Sequence, residues 1–227
     1  MQAMVPIYHL HIRKTGGTTI NHCLLAALSG RPSEPIYCAL AQAVHNRVML
    51  DDVSFAGWRL ETINAGGWDF AFGHMSLDRL VLPSDARVIT CFRDPVQRLA
   101  SHYRMLRQMI TEESDHVIMA KEAPWATGTF RDFVDRVPDR HRLTQLYMFS
   151  MALDPAEAAD RLRRVDHVLV TERLAEGLER LAGATGLPID AGAHLRASAP
   201  LIISAGDLDH ARDALQPEYE WLSEVLW

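Results

Sequence analysis

Cysteine is scarce in this chain, three in 227 residues, and Cys23, Cys38 and Cys91 fall at unrelated spacings. An odd count with no paired motif excludes a disulfide framework and a zinc site, and it points to reduced thiols in a cytoplasmic protein. Positive charge is not in excess either, since the formal net charge is −6. A broad basic surface for nucleic acid or anionic membrane is thereby excluded, and any anion site has to be a local pocket. No apolar run approaches the ~18 residues of a membrane span, and the N-terminus lacks the basic-then-apolar order of an export leader. Internal repeats, low-complexity tracts and linkers are also missing. What remains, with hydrophobic content of 48%, is one globular domain over 1–227 with a full core.

The pattern of elements is α/β. Residues 5–12 alternate as a buried strand, and 18–29 form a helix ended by Gly30 and Pro32. The stretch 39–50 and a piece at 55–63 are predicted helical, and 69–72 is a short strand before Gly73-His74-Met75. Arg87-Val-Ile-Thr-Cys-Phe92 has the continuous apolar character of a central parallel strand. Asp94-Pro95 then opens a helix with an N-cap and a first-turn proline, and Val96, Leu99, Tyr103, Leu106 and Ile110 give it one apolar face. Residues 111–128 are predicted to be a loop. Helices at 129–136, 141–152 and 155–164 follow, the last with Asp154 as cap and Glu157 completing a capping box. A strand at 166–170, a helix at 172–183 and two terminal helices at 206–215 and 217–226 complete the chain. Strands alternating with helices predict a central parallel sheet covered on both faces.

The most informative segment is His11-Ile-Arg-Lys-Thr-Gly-Gly-Thr18. A strand stops at Arg13-Lys14, and a turn of Thr15, Gly16, Gly17, Thr18 and Thr19 runs into a helix. A glycine turn at a helix start aims bare backbone N–H groups at an anion, and the helix end adds roughly half a positive charge. The nucleoside-triphosphate loop wants glycines before its lysine; here they come after it. A tight turn with a solvated lysine is the plainer reading of the same residues.

Arg93 lies at the end of the second strong strand, with Ser101 about two turns into the helix that follows. Ligands of open α/β sheets bind beyond the carboxyl ends of the strands. Lys14 and Arg93 fall there on different strands, so one crevice can hold two anionic groups. Singly, Arg93 could be an ion-pair residue and Ser101 a packing serine.

With both segments in view, the chain resembles the sulfotransferase superfamily, in the branch with a His-Ile-Pro-Lys-Thr-Gly-Gly-Thr first motif and a Phe-Arg-Asp-Pro-Val-x-Arg-x-x-Ser-His-Tyr second motif. The second reads here as Phe92-Arg-Asp-Pro-Val-Gln-Arg-Leu-Ala-Ser-His-Tyr103, and Val168-Leu-Val-Thr-Glu-Arg-Leu174 is a weaker third match. Arg13 stands where that branch has proline. The resemblance implies a P-loop-like sulfotransferase fold and 3′-phosphoadenosine-5′-phosphosulfate (PAPS) as sulfo donor, with no metal. It also implies that Arg13, Lys14 and the 15–19 loop hold the 5′-phosphosulfate, that Arg93 and Ser101 hold the 3′-phosphate, and that Lys14 stabilises the leaving oxygen. His74, in Phe72-Gly-His74, matches a Gly-His position of the branch and is assigned as general base; a surface or supporting histidine is the competing reading among 11 histidines. The implied acceptor is the hydroxyl of a small-molecule, lipid-linked or saccharide substrate, with 111–128 the place to look for its selection.

Other residues weigh less. His9 and His11, two apart on a strand, are expected to pack and support the loop rather than ligate a metal. Arg98 either reaches the 3′-phosphate or pairs with a carboxylate, Gln145 sits on a helix surface or lines the acceptor cleft, and the tail 219–227 packs as helix. The alternative functions are a small-molecule P-loop kinase and a non-catalytic nucleotide-binding protein of the same fold.

Overall fold

The computed structural model describes residues 5–192 and 202–226, so Trp227 of the aromatic tail lies outside the described residues. The elements run β1 (Ile7–Leu10), α1 (Gly17–Ser29), α2 (Ser33–Gln42), β2 (Arg47–Leu50), β3 (Val53–Gly57), α3 (Leu60–Asn64), β4 (Phe70–Gly73) and β5 (Arg87–Phe92). Then come α4 (Pro95–Thr111), α5 (Met119–Glu122), α6 (Phe130–Arg136), α7 (Asp139–Arg142), α8 (Thr144–Tyr147), α9 (Pro155–Leu162), β6 (His167–Val170), α10 (Leu174–Thr185), α11 (Ala205–Ala214) and α12 (Gln216–Leu226).

The six strands make one sheet in the order β2-β3-β4-β1-β5-β6. β1 is central and pairs in parallel with β4 on one side and β5 on the other, so that Leu10 is level with both Gly73 and Thr90. The chain crosses from one side of β1 to the other between β4 and β5, and the crevice of an open α/β sheet forms at such a switch point. Odd-numbered β1 residues face α1, α2 and α10, where Ile7, Ile20, Leu24, Leu40, Ile89 and Leu178 form one apolar layer. Tyr8 and Leu10 face the opposite layer with Phe92, Leu99, Phe133, Phe149 and Trp221. Helices therefore cover both faces, as the alternating pattern requires. Among the described residues no helix is long and apolar enough to cross a membrane.

The sheet is not wholly parallel. Residues 39–50 do not continue as helix: α2 stops at Gln42, and 47–50 becomes the edge strand β2, antiparallel to β3 with Arg47 opposite Ala56 and Leu50 opposite Val53. The 55–63 helix is likewise replaced by β3 and the short α3. Tertiary pairing overrides helical periodicity here. Val48, Val53 and Phe55 suit a pleated surface, and Asp51, at φ +51, makes the tight connection.

Other expectations need smaller corrections. Residues 111–128 are not all loop, because α5 and a 3₁₀ turn at Ala123–Ala126 lie within them. The helix at 141–152 is divided between α7 and α8, which the non-helical Leu143 separates from each other (φ −97, ψ 44). Asp94 caps α4 by accepting from Gln97 N at 2.8 Å, with Pro95 in the first turn. Asp154 caps α9 in the same way, but Glu157 bonds Ser150 and Arg161 instead of closing a capping box.

Candidate active site

Four strand ends deliver the predicted residues to one edge of the sheet. β1 ends in the loop bearing Arg13 and Lys14, β4 in His74, β5 in Arg93, and β6 in Thr171. Lys14 adopts the left-handed conformation at φ +72, and so does Gly16 at φ +83. Gly16 is the N-cap of α1 and provides no side-chain bond, so the first amides of a 13-residue helix are left uncapped by any side chain. An anion completes such a helix end. Thr15 is fully buried, and its hydroxyl donates to Ile12 O at 2.9 Å, which holds the turn and leaves only its backbone N–H for a ligand. Thr18 is exposed and Thr19 half-buried. The Thr171 hydroxyl braces the loop from β6, with Thr15 O at 2.7 Å and Phe92 O at 3.0 Å as its acceptors.

His74 is fixed at its inner nitrogen. Nδ1–H donates to His11 O at 2.6 Å, which places the lone pair on Nε2. Its outer side is open to solvent. Desolvation by the surrounding groups pushes its pKa down to about 4, the Arg13 charge adding and the bond to His11 opposing. The ring is therefore a neutral acceptor at neutral pH. The His11 ring lies 4.3 Å from it, centroid to centroid, and stacks at 5.2 Å and 10° on His9. Asn21 of α1 joins the inner two: Oδ1 accepts from His9 Nδ1 at 2.6 Å, and Nδ2 donates to His11 Nδ1 at 3.2 Å. His9 and His11 thus support the loop, as expected. No group of three or more potential metal ligands exists among the described residues.

Arg93 comes against the same loop, its Nη1 donating to Lys14 O at 3.2 Å. Its Nε is buried without a partner. Desolvation lowers its pKa, Glu172 and Asp94 oppose that, and the like charge of Arg104 adds to it. Arg104 lies one helical turn beyond the buried Ser101, on the same side of α4, and its Nε is also an orphan. Arg98 Nε and Nη1 and Arg142 Nε are also buried without a partner among the described residues, so this feature is not confined to Arg93 and Arg104. Gln145 locks the backbone of Arg93, accepting from its N at 2.8 Å and donating to its O at 3.0 Å. The buried carboxylate of Glu218 holds Gln145 in turn. Gln145 is thus neither a surface residue nor a cleft residue; it is a buried clamp.

Arg13 and Arg98 both bond to groups of the protein. The Arg13 guanidinium grips Glu122 of α5 with two bonds, 2.6 and 3.0 Å, and the second oxygen of Glu122 meets His102 Nε2 at 2.8 Å. Burial alone would raise the Glu122 pKa; the bonds from His102 and Arg13 outweigh it and bring it to about 2. Arg98 is fully buried and donates to the carbonyls of His141, at 3.1 Å, and Arg142. A cavity of about 740 Å³ lies at the other end of α1, beside His22, Cys23, Gly30 and Asp190, away from all of these groups.

Asn21, Arg104 and Glu122 escaped the sequence reading, and Gln145 was noticed without its buried place. A polar residue on the apolar face of α1 or α8 was a usable signal for Asn21 and Gln145, and the one-turn step from Ser101 was one for Arg104. Glu122 is 109 residues from Arg13, and no local pattern announces it.

No protein-family model matches the chain, and no curated protein matches it either. Among solved structures it is similar to a sulfotransferase from Alicyclobacillus acidocaldarius, over 99% of this chain and 96% of that one, with a TM-score of 0.48 and 11% identity. A likeness of that degree carries no weight for activity, which has to rest on the residues.

Proposed function

We propose that the protein is a sulfotransferase that moves a sulfo group from PAPS to the hydroxyl of a small-molecule, lipid-linked or saccharide acceptor. The observation that carries this reading is the joint placement of His74 and the Lys14 loop. The carbonyl of His11, at the root of that loop, orients His74 so that its Nε2 lone pair is available. A base and an anion cradle thus share one residue between them.

The donor's two anionic ends suit the two sets of groups. The uncapped amides of Gly17, Thr18 and Thr19 with Lys14 take the 5′-phosphosulfate; Arg93, Ser101 and Arg104, two of them with orphaned N–H groups, take the 3′-phosphate. Arg13 serves indirectly, by tying the loop to Glu122. In the reaction the acceptor hydroxyl gives its proton to His74 Nε2, and its oxygen forms a bond to sulfur. The bond from sulfur to the bridging oxygen breaks, and that oxygen keeps the electron pair on the departing adenosine 3′,5′-bisphosphate. Lys14 and the helix end stabilise this developing charge, which is where preorganised donors are most effective. A polyanion bound beside His74 raises its pKa from about 4 toward the range of an effective base.

The test is a thermal-shift titration with adenosine 3′,5′-bisphosphate. At one hundred times its dissociation constant the ligand stabilises by ~2.7 kcal/mol, a rise of roughly 5–10 °C for a domain of this size. The double variant Lys14→Ala/Arg93→Ala loses that rise, and turnover proceeds without magnesium. No shift at millimolar ligand, or an equal shift in the double variant, overturns the proposal.

A further inference from the structure

The ring of His11 has work that the assignment above leaves unused. It is only 5% exposed, and its Cδ2–Nε2 edge lies on Gly17, the first residue of α1. A Cβ placed on Gly17 would stand 2.0 Å from His11 Cδ2 and 2.3 Å from Nε2. Glycine at 17 is therefore what lets the imidazole lie against the first turn of the helix.

The position of the His11 proton follows from its neighbours. If the Asn21 amide were reversed, His9 would carry its proton on Nε2, a buried atom with no partner. Either orientation of the amide leaves one imidazole N–H without an acceptor among the described residues; on His9 Nε2 it would be wholly enclosed, whereas His11 Nε2 is not a fully enclosed atom, so the amide stands as described. His9 then carries its proton on Nδ1, Asn21 donates to His11 Nδ1, and His11 carries its proton on Nε2. Burial first, then the charges of His74, His9, Arg13 and Lys14, hold the ring neutral by lowering its pKa well below 6.5. The only bond of the His11 side chain among the described residues is the one through Nδ1. An N–H donor without an acceptor among the described residues thus lies against the first residue of a helix whose N-terminus no side chain caps.

We infer that His11 Nε2–H is a neutral hydrogen-bond donor to the anion seated at the N-terminus of α1. Within the function proposed above, on which its physiological meaning rests, that anion is the 5′-phosphosulfate. Lys14 supplies charge, and His11 supplies a direction. The same residue holds His74 through its carbonyl, so the base and the group being transferred are referenced to one imidazole.

The experiment uses protein labelled with ¹⁵N-histidine and two probes, inorganic pyrophosphate and adenosine 3′,5′-bisphosphate. Before ligand, His11 shows the Nε2–H tautomer; on adding pyrophosphate its ring proton moves downfield. His11→Asn and His11→Ala weaken pyrophosphate binding by about 10-fold or more, as expected for a bond to a charged acceptor. His11→Gln, whose amide nitrogen reaches the place of Nε2, stays within about 3-fold. A merely structural role would not separate Gln from Asn. An Nδ1–H tautomer, an unmoved resonance, or equal affinity in the Gln and Asn variants overturns the inference. A shifted resonance with the bisphosphate no tighter than pyrophosphate keeps the donor role and removes the sulfotransferase reading. Tight bisphosphate binding with an unmoved His11 does the reverse, and failure of both probes removes both.

Discussion

Two histidine clusters meet at the loop around Lys14, and they differ in what they leave open. His9, His11 and His74 are joined by a neutral amide and a carbonyl, with the lone pairs of His9 Nε2 and His74 Nε2 and the N–H of His11 left without partners among the described residues. Glu122 is joined to Arg13 by charge and to a neutral His102 by a hydrogen bond, so that both oxygens of the carboxylate are occupied. An open neutral chain can exchange a proton with a substrate. A carboxylate engaged at both oxygens keeps its charge. The first cluster therefore suits the reaction proposed above, and the second is a brace between the Lys14 loop and α5.

The comparison breaks most visibly at His74. His74→Ala should lower turnover by ~10²–10⁴ while affinity for adenosine 3′,5′-bisphosphate stays near that of the wild type; steady-state kinetics beside a binding titration would show it. Comparable loss of both would place His74 in the brace.

Acid probes both clusters together. His9 and His102 are each held at about 4 in the folded chain, mainly by burial, against 6.5 when unfolded. A depressed pKa means that the unfolded state takes up the proton first. Stability is therefore full above 6.5 and is lost as pH falls from there toward 4. By about pH 5 each should have cost about 2 kcal/mol. Denaturant melts across this range check the sign, and stability rising on acidification would contradict the neutral assignment.

The smallest effect belongs to the brace. Glu122→Ala leaves Arg13 and His102 without their partner at about 1–3 kcal/mol, a fall in Tm of roughly 3–10 °C. Bisphosphate affinity should change by less than about 3-fold, the size of a relaxed contact rather than a lost ligand. Calorimetry with a parallel titration distinguishes this from a ligand-contacting role, in which affinity would fall and Tm would not.

Much of this was legible in the chain because the devices are local. Asp94-Pro95 announced α4 by cap chemistry, and the strand–glycine–helix order around Lys14 announced the turn from β1 into α1. His74 was found by the resemblance, since a histidine after a four-residue strand has no signature of its own. What escaped depends on pairing across the fold. The β2–β3 hairpin has residues that also fit a helix, and only the free edge of β4 decides the matter. Arg13 looked anomalous in place of proline until Glu122, far along the chain, supplied its reason.

Lys14 holds a left-handed backbone that a lysine does not choose, at a cost of about 1 kcal/mol or more. The loop's shape is thus imposed from beneath, by the completed sheet edge and by Thr171, rather than by its own preferences. The bond from Thr171 to Thr15 joins residues 156 apart in sequence, so the shape of the loop is tied to the seating of β6, and a local opening of that sheet edge would loosen the loop with it.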